Sequence, residues 1–285
     1  MTTAVISEVR QDLAEYTKDL LSTTPVGQNN YYQRSTPMTQ EIAAHLEDNL
    51  PHFVKLYDET FNRDLDDKEQ ADYDLMKEQY SCTNIIYRML WLSRISRLDL
   101  SLSVSILSKH CMGPPCYDAY RAIRLVLQYL LGTIELGISF KASGNKKPIY
   151  YVDTNHPLGR PRMDLLVRLA GGPIEWHSKL APVTSTSSIE SEIYGAHVGL
   201  TKGKIVHEDF KHVMVSKESE LIDFKGGDDA CTLILNKSRN DLKTIQKHIG
   251  NRLFRSMEWR SPHNDQRIAI MTRVHTTENL ADFFT

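Results

Sequence analysis

The sequence predicts a small helical region followed by an α/β domain, and three observations carry that prediction. Apolar residues recur at three- and four-residue spacing through much of residues 1–140. The polar, Gly- and Pro-containing stretch "KASGNKKP" at 141–148 then interrupts that texture, and short β-rich runs follow it. Those runs alternate with helical patterns in the order β-β-β-α-β-α-β-α, an antiparallel start with parallel additions. A mixed five-stranded sheet with helices is therefore expected over 149–285, behind a helical region at 1–140 and a linker at 141–148.

In the first half, Val9, Leu13, Tyr16 and Leu20 form a helical stripe across residues 4–21. "TTPVGQNNYYQRSTPM" breaks it with two X-Pro steps and polar filler, which predicts a loop. Residues 46–79 hold eleven Asp/Glu against four Lys/Arg without strong periodicity, so exposed helix or loop is expected. "TNIIYRMLWLSRISRLDLSLSVSILSKH" reads as helix with a break near Arg97–Asp99. "PPCYDAY" starts another helix, in which Tyr120, Ile123, Leu127 and Leu130 recur until Gly132.

In the second half, "IYYVD" (149–153) is a short strand ending on an acid. "MDLLVRLAG" and "PIEWHSKLA" are two further strands joined across Gly171-Gly172, a hairpin signal. A helix from about 188 to 215 follows a Ser/Thr-rich lead-in, with Ser187 or Ser188 placed to cap it and Glu190 or Glu192 in its first turns. The polar stretch "KESELIDFKGGDDA" precedes "CTLILN" (231–236), read as the fourth strand. "DLKTIQKHIG" is helical and stops at Gly250, "RIAIMTRV" (267–274) is the fifth strand, and "TTENLADFF" closes as a helix capped by Thr276 or Thr277.

The bulk numbers exclude little. A chain of 285 residues with 41% apolar residues and a formal net charge of -2 can bury a full core. The charge is uneven, however. Residues 237–273 hold nine Lys/Arg against three Asp/Glu, a basic stretch that can follow a phosphate backbone or form a solvated helix face. Four cysteines without a second Cys/His pair at zinc spacing point to a reducing compartment rather than a metal knot. No signal-peptide pattern opens the chain and no apolar run approaches the ~18–20 residues that span a bilayer, so an intracellular protein with no membrane partner is expected. His207 and His212 lie five apart, and His275 stands at a strand end; neither makes a metal pattern. There is no G-x-S-x-G elbow, Walker loop or dinucleotide G-x-G-x-x-G.

Three acids fall near strand ends on separated elements: Asp153, Glu192 and Asp282. Converging carboxylates are costly unless cations compensate them, and such oxygen ligands suit Mg²⁺ or Mn²⁺. A pair of those ions ~4 Å apart is the usual arrangement for phosphodiester hydrolysis. A single Asp at a strand end is more often a turn former.

The strand order and acid placement look like ribonuclease H, and the words around them resemble the C-terminal Pol region of copia-type LTR retrotransposons (Pseudoviridae). "GGPIEWHSKLAPVTSTSSIESEIYGA" is similar to that family's hairpin and "SSTEAE" signature, and "TTENLADFFT" to its closing "LAD…T" segment. "YRMLWLSRISRLDLSLSVSILSKH" and "AYRAIRLVLQYLLGT" resemble the helical "TRPDI…AVSLLSR" and "RYLKGT" segments behind the reverse transcriptase palm, and "STPMT" fits the thumb-region linker. The resemblance runs from about residue 5 to the end. It implies a ribonuclease H-like mixed five-stranded sheet preceded by a small α-helical thumb/connection-like region. No "Y-x-D-D" turn occurs, and Met1 falls within the thumb-like part, so the tail of a larger Pol polyprotein is expected, without a polymerase site.

Carried over by position, the resemblance makes Asp153, Glu192 and Asp282 the catalytic acids holding Mg²⁺ or Mn²⁺, with Glu190 as the capping partner. It implies hydrolysis of the RNA strand of RNA–DNA hybrids during reverse transcription. The family's aspartate at the end of the fourth strand is read here as Asn236, a neutral isostere that weakens one cation site; Asp241, in the next helix, is a poor substitute. The alternative is a catalytically inactive nucleic-acid-binding remnant, gripping phosphates through Lys243, Lys247, Arg252, Arg255 and Arg260, or a pseudogene product. The implied location is the cytoplasm, in a virus-like particle if the chain belongs to an element, or the nucleus.

Overall fold

The computed structural model describes residues 8–11, 13–28, 33–48, 65–111, 115–142, 144, 147–155, 160–182, 184–214, 222–227 and 269–284. The chain divides into two compact units, Arg10–Ile138 and Ser139–Thr285 together with Met1–Val9.

The described residues begin with a short strand β1 (Glu8–Gln11), within the 4–21 stretch whose spacing had suggested helix. Helix α1 begins only at Ala14 and runs to Ser22, and Leu20 of the expected stripe is fully buried. The expected loop at 23–38 contains a four-residue helix α2 (Pro25–Gln28), with proline at the first helical position, where its missing N–H costs nothing. Helix α3 is Gln40–Asp48. The acidic stretch also carries α4 (Asp67–Gln79), which has too few apolar residues to announce itself. A reciprocal cap starts it: Asp66 Oδ1 accepts from the Glu69 N–H at 2.8 Å, and Glu69 Oε2 accepts from the Asp66 N–H at 3.4 Å. Only Tyr73 and Met76 of this helix are buried.

Helix α5 (Cys82–Ile95) and helix α6 (Ser101–Leu107) are separated by a 3-10 turn at Leu98–Leu100, at the expected break. Arg97 explains it. The side chain is 1% exposed, donates to Asp99 Oδ2 at 2.8 Å, and reaches the carbonyl and hydroxyl of Thr133 at 2.9 and 2.7 Å. Tyr129 donates to the same Asp99 oxygen at 2.8 Å. A buried charge pair with every partner supplied thus ties the α5–α6 corner to the end of helix α7 (Tyr117–Gly132). Met89, Leu92, Val104, Leu107, Ile123 and Leu127 fill the core around it.

The other unit follows β2 (Ile138–Lys141), which pairs with β1 in a two-stranded sheet. The start of the expected linker is not free chain. Lys141 N–H donates to the Ala170 carbonyl at 2.8 Å, and Gly144 lies so close to Ala170 that a Cβ would meet its backbone at 2.5 Å.

Five strands form the main sheet: β3 (Ile149–Thr154), β4 (Arg162–Leu169), β5 (Gly172–Leu180), β6 (Ile222–Gly226) and β7 (Ala269–Arg273). Their order is β5-β4-β3-β6-β7. The pairs β3/β4 and β4/β5 are antiparallel, whereas β3/β6 and β6/β7 are parallel. This is the mixed α/β sheet the sequence predicts. The β4–β5 turn is Ala170-Gly171, with φ of 51° and 83°, the double positive φ that suits a two-residue hairpin; Gly172 already belongs to β5.

Helix α8 (Ser188–Met214) crosses from β5 to β6 and packs on one face of the sheet. It runs antiparallel to β3. A Cβ on Gly203 would strike Phe224 and Tyr150, one on Gly199 would strike Val152, and one on Gly195 would strike Thr154. Val152, Leu165, Val167, Ile193, Leu200 and Phe224 complete this second core.

Two expectations need correction. The strand beside β3 is Ile222–Gly226, inside the stretch read as a polar connection; "CTLILN" at 231–236 lies outside the described residues. The closing "TTENLADFF" is two 3-10 turns, Thr276–Glu278 and Leu280–Phe284, rather than an α-helix. Asn279 separates them, and its side chain is committed elsewhere.

Candidate acidic site at the strand ends

The parallel strands end together, because the register pairs Val152 with Gly226 and Gly226 with Arg273. Asp153 and Gly227 are therefore the next positions on neighbouring strands. Beyond β7 the chain doubles back over this rim. Val274 N–H bonds the Gly226 carbonyl at 3.0 Å, and His275 Nδ1 accepts from the Thr277 N–H at 3.3 Å, which fixes the first turn. Asn279, 4% exposed, then donates through Nδ2 to the Val152 carbonyl at 3.1 Å and to Asp153 Oδ1 at 3.0 Å. Asp282 sits one 3-10 turn later, its N–H on the Asn279 carbonyl at 3.1 Å.

Asp153 is thus held against water loss on one side and a second carboxylate on the other. Burial is the larger cause and the Asp282 charge the second; together they raise its pKa to about 6, against the opposing hydrogen bonds from the Thr154 backbone and Asn279. At neutral pH the pair carries costly like charge that a cation would relieve.

The Ser/Thr lead-in to α8 is a cap. Ser187 Oγ accepts from the Glu190 N–H at 3.2 Å, and Glu190 Oε2 accepts from both the N–H and hydroxyl of Thr186 at 2.7 Å. Ser185 and Ser191 close the cluster with a 2.6 Å hydroxyl pair. Glu190, 2% exposed, is consumed by this work. Glu192 is half-buried and precedes Gly195 by three residues, on the turn of α8 next to the end of β3; a Cβ on Gly195 would lie 3.5 Å from the Asp153 carbonyl.

Of the acids singled out from sequence, the structure brings Asp153 and Asp282 together and puts Glu192 on the adjoining helix turn. Among the described residues no group of three or more His, Cys, Asp or Glu is placed to hold a metal ion. Asn236, Asp241, Lys243, Lys247, Arg252, Arg255 and Arg260 lie outside the described residues. The strand-end position facing Asp153 belongs instead to Gly227: a Cβ there would stand 3.7 Å from Asp153 Oδ1 and 3.6 Å from Asn279 Nδ2. Sequence reading missed both Gly227 and Asn279, as well as Asp164, the buried cross-strand partner of Asp153.

No family model matches the chain. It is 31% identical over 108 residues to secreted RxLR effector protein 161 of Plasmopara viticola, a stretch covering 36% of this chain and 75% of that protein. The chain belongs to that protein's family. Secretion and effector action are what the name says of that relative. Among solved structures, LC11-RNase H1 isolated from compost aligns with 49% of this chain and 92% of its own, at 12% identity and a TM-score of 0.34. The foamy viral protease-reverse transcriptase dRH, in complex with ds DNA, aligns with 75% of this chain and 35% of its own, at 10% identity and a TM-score of 0.37. The strand order and register of the chain itself, rather than these superpositions, define its sheet.

In this member of the RxLR effector protein 161 family, the donor set at the rim is small. Two coupled carboxylates and a neutral amide share one rim, with a glycine at the adjacent strand end. Two hard divalent cations ask for more anionic oxygen than that. The described residues therefore do not fit a two-ion centre.

Proposed function

We propose that residues 149–285 are a ribonuclease H-like module, derived from the Pol region of a copia-type LTR retrotransposon, that holds RNA–DNA hybrid without turning it over. The single observation that carries this reading is Gly227 at the strand end, 3.7 Å from Asp153 Oδ1 as measured from an added Cβ. The mixed sheet order, the acid at the end of its central strand and the returning Asp282 support the ribonuclease H-like part. The missing carboxylate supports the loss of turnover, since phosphodiester cleavage by paired cations depends on the oxygen ligands that clamp them.

The residues that remain suit binding. Binding in this reading falls to basic side chains, because Asp153, with a pKa of about 6, is mostly ionised at neutral pH and repels a phosphate. The basic composition of 237–273, including Lys243, Lys247, Arg252, Arg255 and Arg260, supplies phosphate contacts in this reading.

The test pairs binding with cleavage. Labelled RNA–DNA hybrid is titrated with the full chain by fluorescence anisotropy across salt concentrations, and RNA cleavage is followed on gels in Mg²⁺ and in Mn²⁺ for the wild type and Gly227→Asp. Salt-dependent binding with no wild-type cleavage, and cleavage gained by Gly227→Asp, is the expected result. Wild-type cleavage as fast as that of the variant, or no hybrid binding by the wild type, sinks the reading.

A further inference from the structure

We propose that Lys179 and Lys202, brought towards His177 by the β5 edge strand and by helix α8, seat a phosphate of the nucleic-acid backbone. The proposal rests on the nucleic-acid reading above and extends it to a surface away from the acidic rim.

The register places this cluster. Thr154 on β3 pairs with Met163 on β4, and Met163 pairs with Lys179 on β5, so the lysine lies in one cross-strand row with the residue after Asp153. Two strand spacings of ~4.8 Å put it about 10 Å from Thr154. His177, two residues before Lys179, projects from the same face. That face is the one covered by α8, because Tyr194 and Val198 of the helix pack with Met163 and Ala181. Lys202 follows Val198 by four residues, one turn further along the same helix face. Since α8 runs antiparallel to the strand, Lys202 descends towards His177 as β5 climbs to Lys179.

The electrostatics agree with that placement. Both lysines act on His177 and, with its burial as the larger cause, push its pKa down to about 4. The imidazole is accordingly neutral at physiological pH, within the field of two exposed ammonium groups. Among the described residues neither lysine makes an ion pair, and Glu175, on the same strand, pairs with neither. By contrast Lys211, about two and a half turns away on α8, is matched by Glu208 at 3.5 Å. Two exposed like charges near a partly buried neutral imidazole fit an anion bearing several oxygens. On the nucleic-acid reading that anion is a backbone phosphate, contacted for position rather than for sequence.

The experiment measures hybrid affinity against salt for the wild-type full chain, Lys179→Gln, Lys202→Gln and the double variant, with Lys211→Gln as a control and the double Arg replacement as rescue. Each lost phosphate contact lowers the slope of log affinity against log salt by about 0.9, so the double Gln variant loses about 1.8 in slope and about 60-fold in affinity at 0.1 M salt. The Arg pair retains the wild-type slope, and Lys211→Gln leaves it unchanged. The His177 ring resonances give a second readout, since a phosphate between the lysines raises the histidine pKa well above its free value. A wild type that binds hybrid with a slope the double Gln variant shares overturns the proposal while leaving the function standing. A wild type that binds no hybrid overturns both.

Discussion

Adding the carboxylate that the strand end lacks is the sharpest perturbation available. In Gly227→Asp the new Cβ meets nothing among the described residues closer than 3.6 Å, ordinary contact distance. Its oxygens then approach Asp153, whose pKa already stands at about 6 through burial and Asp282. One extra like-charge contact near 4 Å would amount to roughly 4 kcal/mol at an effective dielectric of about 20, but protonation of Asp153 from its pKa of about 6 caps the cost at neutral pH at about 1.4 kcal/mol. A domain of this size shifts its melting point by about 2–4 °C per kcal/mol, so the variant should melt roughly 3–6 °C lower than wild type in EDTA at neutral pH. A divalent cation reverses that. About 10 mM Mg²⁺ bound with a dissociation constant near 1 mM returns about 1.4 kcal/mol, or roughly 3–6 °C, to the variant alone. Differential scanning fluorimetry of both proteins in EDTA and in Mg²⁺ reads all four values. A variant that melts with the wild type in EDTA, or a wild type that gains as much from Mg²⁺, would refute the placement of Gly227 beside the acids.

Other outcomes follow from the same geometry. Asp153 should titrate near 6 by carboxyl ¹³C NMR, with Asp282→Asn lowering that value and Asn279→Ala raising it, in line with the signs of the two influences. Because the folded pKa lies above the unfolded one, the group stabilises the fold below about pH 4 and loses that contribution as pH rises through about 6, a change on the order of 3 kcal/mol. His177 runs the other way: with its folded pKa lowered to about 4, stability should fall as pH drops from about 6.5 towards 4, and His177→Gln should flatten that limb of a urea-denaturation series. Asp99→Ala strands the Arg97 guanidinium in the helical core and should cost about 3–5 kcal/mol by chemical denaturation. Ala170→Gly relieves a φ of 51° at the hairpin turn and should raise stability by roughly 1 kcal/mol.

Period and punctuation made most elements legible, and the misses have physical causes. The helix from 117 to 132 and the hairpin strands carry long apolar patterns, so their type follows from sequence alone. Strand β6 has the alternation Ile222, Asp223, Phe224, Lys225, with burial to match, yet five residues of half-polar sequence beside two glycines read as connection. A fourth strand at 231–236 puts Asn236 at the strand end, whereas the register with β3 puts Gly227 there. A glycine also offers no side-chain chemistry to notice; only the register with β3 gives it meaning. Asn279 was hidden differently. Its amide replaces backbone pairing for Val152 and holds Asp153, a partnership 126 residues apart that no local pattern encodes. The cap at Ser187 and Glu190, by contrast, is local and was readable as a cap, although the residues alone left Ser187 or Ser188 and Glu190 or Glu192 open for it and only the resemblance separated the two acids.

The fold and the chemistry at this rim depend on different residues, and that separation is why one can persist without the other. Asp153 is structurally engaged: it is buried and bonded to Asn279, which in turn secures the return of the chain over β3. The site of the missing carboxylate is not. Among the described residues a Cβ at 227 would meet only Asp153 and Asn279, both at van der Waals distance, so position 227 holds no core contact there. Glycine in place of an acid at 227, on the proposed reading, relieves like-charge repulsion while removing a cation ligand. On the proposed reading, the sheet, the α8 cap and the basic edge at Lys179 and Lys202 therefore remain fit for nucleic acid after hydrolysis has gone, and a single substitution at 227 suffices to test whether turnover is all that was lost.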